Sequence, residues 1–168
     1  MKGKTYCHAA SDGNEVDVAN LSSQFRIHSK EAAKAALAVL KQLGFHRSSL
    51  SLVFVSDAMI KQLNQKYLHH SWATDVIAFP FVTPKIKKNS HAQVLPLGEV
   101  VISPNQAKVY SKKLGVSLHQ ELVRYICHGI LHLKGYEDHS PKARQAMRKR
   151  EDKLIKMLER KQELKRII

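Results

Sequence analysis

Apolar residues recur along this chain with two spacings. In some stretches they return every three or four positions, in others they alternate or run unbroken, and the elements follow from where each spacing holds. Ala33, Ala36, Leu37 and Leu40 form the stripe of a helix predicted from a Ser29 cap to Leu43, with Gly44 after it. Leu50 to Val55 reads as a strand, and Ser56 as the cap of a second helix with Ile60, Leu63 and Tyr67 facing inward. Thr74 to Phe81 is a predicted strand that Pro80 confines to a sheet edge. Gly98 to Ile102 is another strand, and Ser103-Pro104 opens a helix that stops at Gly115. Ser140-Pro141 opens a last long helix with Ala143, Met147, Leu154, Ile155 and Leu158 inward. Glu15 to Ala19 is expected to be a short first strand. Residues 1–14 are polar and expected to be loose, and residues 83–96, with three lysines, two prolines and no acid, to form a loop. About four short strands among several helices, with no repeat and no linker, predict an α+β fold. It would be a single domain over residues 1–168, a small mixed sheet with helices packed on it.

The remaining helix carries the chemistry. Ser117-Leu118-His119-Gln120 fits a capping box, a hydroxyl N-cap with an amide three residues on. Leu118, Leu122, Ile126, Gly129 and Leu133 make its apolar stripe; His128 and His132 fall outside it, on a face shared with Glu121 and Tyr125. Residues i and i+4 lie about 40° apart around a helix, so the two imidazoles can bite one ion. The helix cannot supply a third ligand without running past that ion. Gly135 lets the chain stop and fold back, and a third histidine, His139, follows in the turn as the expected third ligand. Three protein ligands with water in an open fourth position is how a catalytic zinc is held. Two ordinary histidines on a half-buried helix is the competing reading, and it leaves the third histidine after the glycine unexplained. Cys127 is about 100° away around the helix and reads as a small buried residue rather than a ligand.

Composition narrows the setting. The 168 residues are 43% apolar, enough for one real core. The longest apolar run, Val76 to Val82, is too short to span a bilayer, and Met1-Lys2-Gly3-Lys4 starts no secretory signal. Cys7 and Cys127 suggest no disulfide framework, so a reduced, cytoplasmic setting is expected. The net charge of +14 and pI near 9.9 call for an acidic partner, nucleic acid before an anionic membrane surface. Residues 141–168 carry eleven Lys and Arg against four acids, half of that net charge. Lys85, Lys87, Lys88, Lys142, Arg144, Arg148, Lys149 and Arg150 are the candidate nucleic-acid-binding residues, unless the basic face serves solubility alone. No membrane partner and no small-molecule cofactor are expected.

Three stretches in order, between about residues 50 and 140, resemble the YbeY family of metal-dependent endoribonucleases of ribosome maturation. They are His128-Gly-Ile-Leu-His132-Leu-Lys-Gly135-Tyr136, Leu63-Asn64 with Thr74-Asp75-Val76-Ile77-Ala78-Phe79-Pro80, and Gly98-Glu99-Val100-Val101-Ile102-Ser103. The resemblance implies one zinc-like ion held by three histidines and cleavage of single-stranded RNA. It also implies maturation of the 3′ end of small-subunit (16S) ribosomal RNA, with the small ribosomal subunit as a partner. Two departures matter. Tyr136-Glu137-Asp138-His139 carries one residue more than the family's usual spacing, so Asp138 stands where the family has its third histidine and is the alternative third ligand, with His139 favoured because the family ligand is histidine. Leu68 stands where the family typically has an arginine, while Ser71 replaces a common Asp and Ala73 a common Pro.

No position supplies an obvious general base. Glu99 could orient a ligand or water, or be an ordinary strand carboxylate, and the RNA 2′-hydroxyl could serve as nucleophile. A metalloprotease helix carries Glu directly after its first His, where this chain has Gly129. The leading expectation is a metal-dependent endoribonuclease. The alternatives are a non-catalytic RNA-binding ribosome-assembly factor with a structural metal, and a metal-dependent hydrolase of another substrate. Trp72 is expected to cover the core rather than stack on a base.

Overall fold

A computed structural model describes residues 4–81, 94–160 and 166–168. Lys85, Lys87 and Lys88, three of the expected RNA contacts, lie outside the described residues. Five strands form one mixed sheet. They are β1 (Thr5–Ser11), β2 (Asn14–Asn20), β3 (Ser48–Phe54), β4 (Val76–Pro80) and β5 (Leu95–Ile102), in the order β1-β2-β3-β5-β4. β2 and β3 run parallel, as do β3 and β5; β1 pairs antiparallel with β2, and β4 antiparallel with β5. The helices are α1 (Ser29–Gln42), α2 (Asp57–Leu68), α3 (Pro104–Leu114), α4 (Leu118–Leu133) and α5 (Pro141–Arg160).

Strand alternation gives the sheet two apolar faces. Val16, Val18, Leu50, Leu52, Phe54, Val100 and Ile102 face the large core with α1, α4 and α5. Val53, Ile77 and Val101 point the other way, onto Ile60 and Leu63 of α2. Successive side chains of β5 therefore go to opposite layers, as the period-2 geometry of a strand requires. α4 lies against β5 at its one glycine. A Cβ on Gly129 would overlap the Val100 side chain, so Gly129 is a close-approach position that sets how near the helix sits to the sheet. Gly129→Ala is expected to cost about 1–3 kcal/mol by overpacking. A urea unfolding midpoint equal to that of the unsubstituted chain would count against this reading.

The structure departs from the expectations at several points. There are five strands, not four. Residues 5–14, the part of the expected loose stretch that forms elements among the described residues, are ordered: Thr5–Ser11 is an edge strand closed by a two-residue turn, with Asp12 at φ 53 and Gly13 at φ 77. Asp-Gly is a strong hairpin signal. It is easily passed over here because β1 is largely exposed and its residues show no apolar alternation. Ser29 is not a cap but a buried first helical residue; His28 holds the cap position with no side-chain hydrogen bond. Tyr67 faces outward, edge-on to Phe79. Trp72 does not cover the core: it is 59% exposed and stacked on His70 at 4.5 Å. The last helix is described to Arg160, and Ile167 beyond it is fully buried, its carbonyl accepting from the His28 backbone N–H at 2.7 Å. The other boundaries follow the predicted caps. Ser56 and Ser103 accept from the third residue of their helices, and Gly115 closes α3 in the left-handed region.

Candidate metal centre

The Ser117/Gln120 capping box is formed in both directions and sets the start of α4, and with it the register of every residue that follows. His128 and His132 then fall one turn apart on its outward edge, at the rim of the large core. Gly135 turns back at φ 92. The loop that follows carries Asp138 against both rings. The atoms that converge are His128 Nε2, His132 Nε2 and Asp138 Oδ2, all within 4.8 Å of one another. The two nitrogens are 2.9 Å apart, and the carboxylate oxygen is 3.8 Å from each. A point equidistant from the corners of that triangle is about 2.1 Å from each atom, which is the bond length zinc makes to imidazole nitrogen and carboxylate oxygen. His139, the expected third ligand, is not in this group; the described geometry brings Asp138 there instead.

Each ring is held from behind. His128 Nδ1–H donates to Glu151 Oε1 at 2.8 Å, and His132 Nδ1–H donates to the Tyr136 carbonyl at 2.9 Å. With both Nδ1 atoms donating, both Nε2 lone pairs point at each other across 2.9 Å. Such a contact requires a proton or a cation between them. Backing a ligand histidine with a carboxylate or a backbone carbonyl is the usual outer-shell arrangement of a metal site. Burial lowers the pKa of both rings. At His128 the Glu151 hydrogen bond and charge outweigh burial and leave it raised; His132, facing His128, stays low.

Glu151 is the centre of this support and was not among the sequence candidates. It is buried, and Arg124 Nη1 donates to its other oxygen at 2.9 Å and to Asp152 at 2.8 Å. Burial pushes the Glu151 carboxyl up, but the His128 and Arg124 hydrogen bonds hold it below the ordinary value. A sequence signal existed: Glu151 lies four residues after Met147 and four before Ile155, an acid inside an apolar stripe. Charges in such positions are paired when buried.

Beside the rings opens a cavity of about 250 Å³ whose wall includes His128, Asp138, Arg124, Arg144 and Arg148, with Asp75, Glu121 and Tyr125 along it. Burial raises the Glu121 pKa. Of the other predicted residues, Lys142 and Lys149 are exposed on α5, and the Arg150 guanidinium lies 4.5 Å from the centre of the Tyr136 ring. Glu99 is not brought to the centre. It shares the sheet face of Val101, away from α4, and accepts from Ser51 Oγ at 3.0 Å. Cys127 is fully buried, with burial pushing its thiol up to about 12, as its reading as a core residue required.

A family model described as Endoribonuclease YbeY matches residues 16–159. A protein of Myxococcus xanthus with that name is 34% identical over 142 residues, 84% of this chain and 47% of its own length. A Chlorobium luteolum protein of the same name is 32% identical over 125 residues, 74% of this chain and 85% of its own. The Chlamydia caviae protein is 29% identical over 153 residues, 89% of this chain and 94% of its own. The chain thus spans about half of one relative and nearly all of another. The solution structure of TM1509 from Thermotoga maritima superposes with a TM-score of 0.55 at 22% identity, over 83% of this chain and 87% of that one, a likeness of fold.

Proposed function

Because the chain belongs to the endoribonuclease YbeY family, we propose that it is a metal-dependent endoribonuclease that cleaves single-stranded RNA in the cytoplasm. Its role would be maturation of the 3′ end of small-subunit ribosomal RNA, with the small subunit as its partner. The observation that supports this most is the convergence of two backed imidazoles and one carboxylate on a point with zinc bond lengths, at the wall of an arginine-lined cavity. His128, His132 and Asp138 would hold one divalent ion, zinc in this reading. When bound, that ion supplies Lewis-acid polarisation of a phosphoryl oxygen and lowers the pKa of water. The chain's own residues do the rest. Glu151 and the Tyr136 carbonyl keep both Nε2 atoms unprotonated and aimed, and the arginines face the strand's phosphates. Further basic residues on α5 would add phosphate contacts.

Incubation of the purified chain with single-stranded RNA, duplex RNA and casein, with and without chelator, tests the reading. Only single-stranded RNA should be cut, chelation should stop cleavage, and zinc should restore it. Elemental analysis should find about one equivalent of metal per chain. Cleavage that survives chelation would sink the metal-dependent reading. RNA bound but uncut by the metal-loaded protein would favour the second reading, a non-catalytic RNA-binding assembly factor, which Leu68 in place of an arginine supports. A peptidase reading has nothing to rest on at Gly129, because a side chain there would strike Val100. No described helix is long and apolar enough to cross a membrane.

A further inference from the structure

Resting on the endoribonuclease reading, we propose that Arg144, assisted by Arg148, is the seat for the non-bridging oxygens of the RNA phosphodiester next to the metal position. Leu68, where an arginine is expected, ends α2, is 47% exposed and takes no part in the cavity wall. The guanidiniums that do line the cavity come from α4 and α5, and they differ in what already binds them.

Arg124 is spoken for. It is mostly buried and donates to both Glu151 and Asp152, so its charge is neutralised inside the protein. Arg148 is half exposed, and its nearest carboxylate oxygens, on Glu151 and Asp152, are 3.8 and 3.9 Å away, beyond hydrogen-bond reach. Arg144 is different again. It is exposed, and its Nη1 donates to the backbone carbonyls of Asp138 at 3.2 Å and of His139 at 3.5 Å. Among the described residues no carboxylate comes within ion-pair distance of it. A full positive charge is therefore pinned to the loop that carries Asp138, with most of its five donors still available for a bidentate grip on a phosphate. A cation fixed in advance beside the point where charge develops needs no rearrangement at the moment of reaction.

The cavity supports this placement. Asp75 and Glu121 line it with the arginines, and their carboxylates would repel an anion that entered more deeply. The phosphate seat is thus at the rim, between Arg144, Arg148 and the ligand atoms. A volume of about 250 Å³ falls just under the usual range for whole small-molecule ligands, and suits one link of a strand laid across the opening.

The test compares the unmodified chain with Arg144→Gln, Arg144→Lys and, as a control for lost charge, Lys30→Gln on the exposed side of α1. The probe is a 2′-O-methylated single-stranded RNA bound at several salt concentrations, alongside metal content and cleavage of ordinary RNA. Arg144→Gln is expected to keep its metal and to reduce the slope of log K against log salt by about 0.7, one phosphate contact on a single strand. Its cleavage rate should fall about a hundredfold. Arg144→Lys should recover the salt slope but not the full rate, because an ammonium cannot grip two oxygens in a fixed plane. Lys30→Gln should change neither. An unchanged salt slope in Arg144→Gln overturns the proposal, and so does loss of its metal, which would assign Arg144 to shaping the loop. If the unmodified chain binds the probe but cuts no RNA, the endoribonuclease reading fails while the salt slope still decides the phosphate seat. If it binds no RNA at all, both fall.

Discussion

Asp138→Ala is expected to lose most of its metal and its RNA cleavage, while His139→Ala keeps the ion. Asp138 Oδ2 lies 3.8 Å from both imidazole nitrogens, and the three atoms enclose one point at bonding distance. Removing it leaves two ligands on one helix. His139 is not in that group, so its loss should cost no more than an outer-shell contact, about 10–100-fold in affinity or activity. Zinc titration of both variants with elemental analysis separates the cases. Full occupancy in Asp138→Ala together with loss in His139→Ala would return the third ligand to His139. The identity matters for the chemistry as well as the inventory. A carboxylate in place of a third imidazole makes the site one charge more negative. Water is then less strongly acidified, and the rising limb of the activity–pH profile should sit higher than at a three-histidine site.

Glu151→Ala should be the most damaging single change to the fold near the site. It strips Arg124 of a buried partner and frees the His128 ring at once. Deleting one member of a buried ion pair costs about 3–5 kcal/mol when the other charge is left uncompensated; Asp152 still accepts from Arg124 here, so the loss should lie at or below the low end of that range. Loss of the hydrogen bond to His128 should add a metal-affinity loss of about 10–100-fold. Glu151→Gln keeps the volume and an acceptor, and should recover part of both. The pH dependence provides an independent check. In the folded chain Glu151 titrates below its ordinary value of 4.5. Its ionisation therefore stabilises the fold above that value, and the stabilisation fades as pH falls through the lower folded one. Urea unfolding of the metal-free protein at neutral and acid pH reads this directly. An unfolding midpoint in Glu151→Ala equal to that of the unsubstituted chain would show that the network contributes no stability.

The sequence was most legible where local chemistry and long-range packing agree. Ser56, Ser103, Gly115 and the Ser117/Gln120 box marked their helix ends because capping is a contact between near neighbours. The placing of β4 at a sheet edge followed from one proline. That the His128 and His132 rings meet followed from helical spacing. What stayed hidden depends on contacts distant in sequence or on exposed positions without periodicity. β1 turns only Cys7 and Ala9 toward the core, each partly buried, too little to give it a pattern. Trp72 was assigned to the core by its type, but its neighbour His70 offered a ring to stack on at the surface. Glu99 and Glu151 show the same limit from opposite sides. A strand carboxylate beside a familiar motif turned out to face the other layer, whereas an acid in a helix 23 residues from His128 meets it at 2.8 Å.

The hydrogen bond from His128 to Glu151 also orders events in time. A chain grows from its N-terminus at about 5–20 residues per second. The 19 residues from His132 to Glu151 therefore take roughly one to four seconds to make, after both histidines already exist. During that interval α4 can form, but its first ring has no anchor and α5 has not covered it. Ile167, which closes onto the residue before α1, arrives later still. This topology defers the backed geometry of the two rings until nearly the whole described chain has been made.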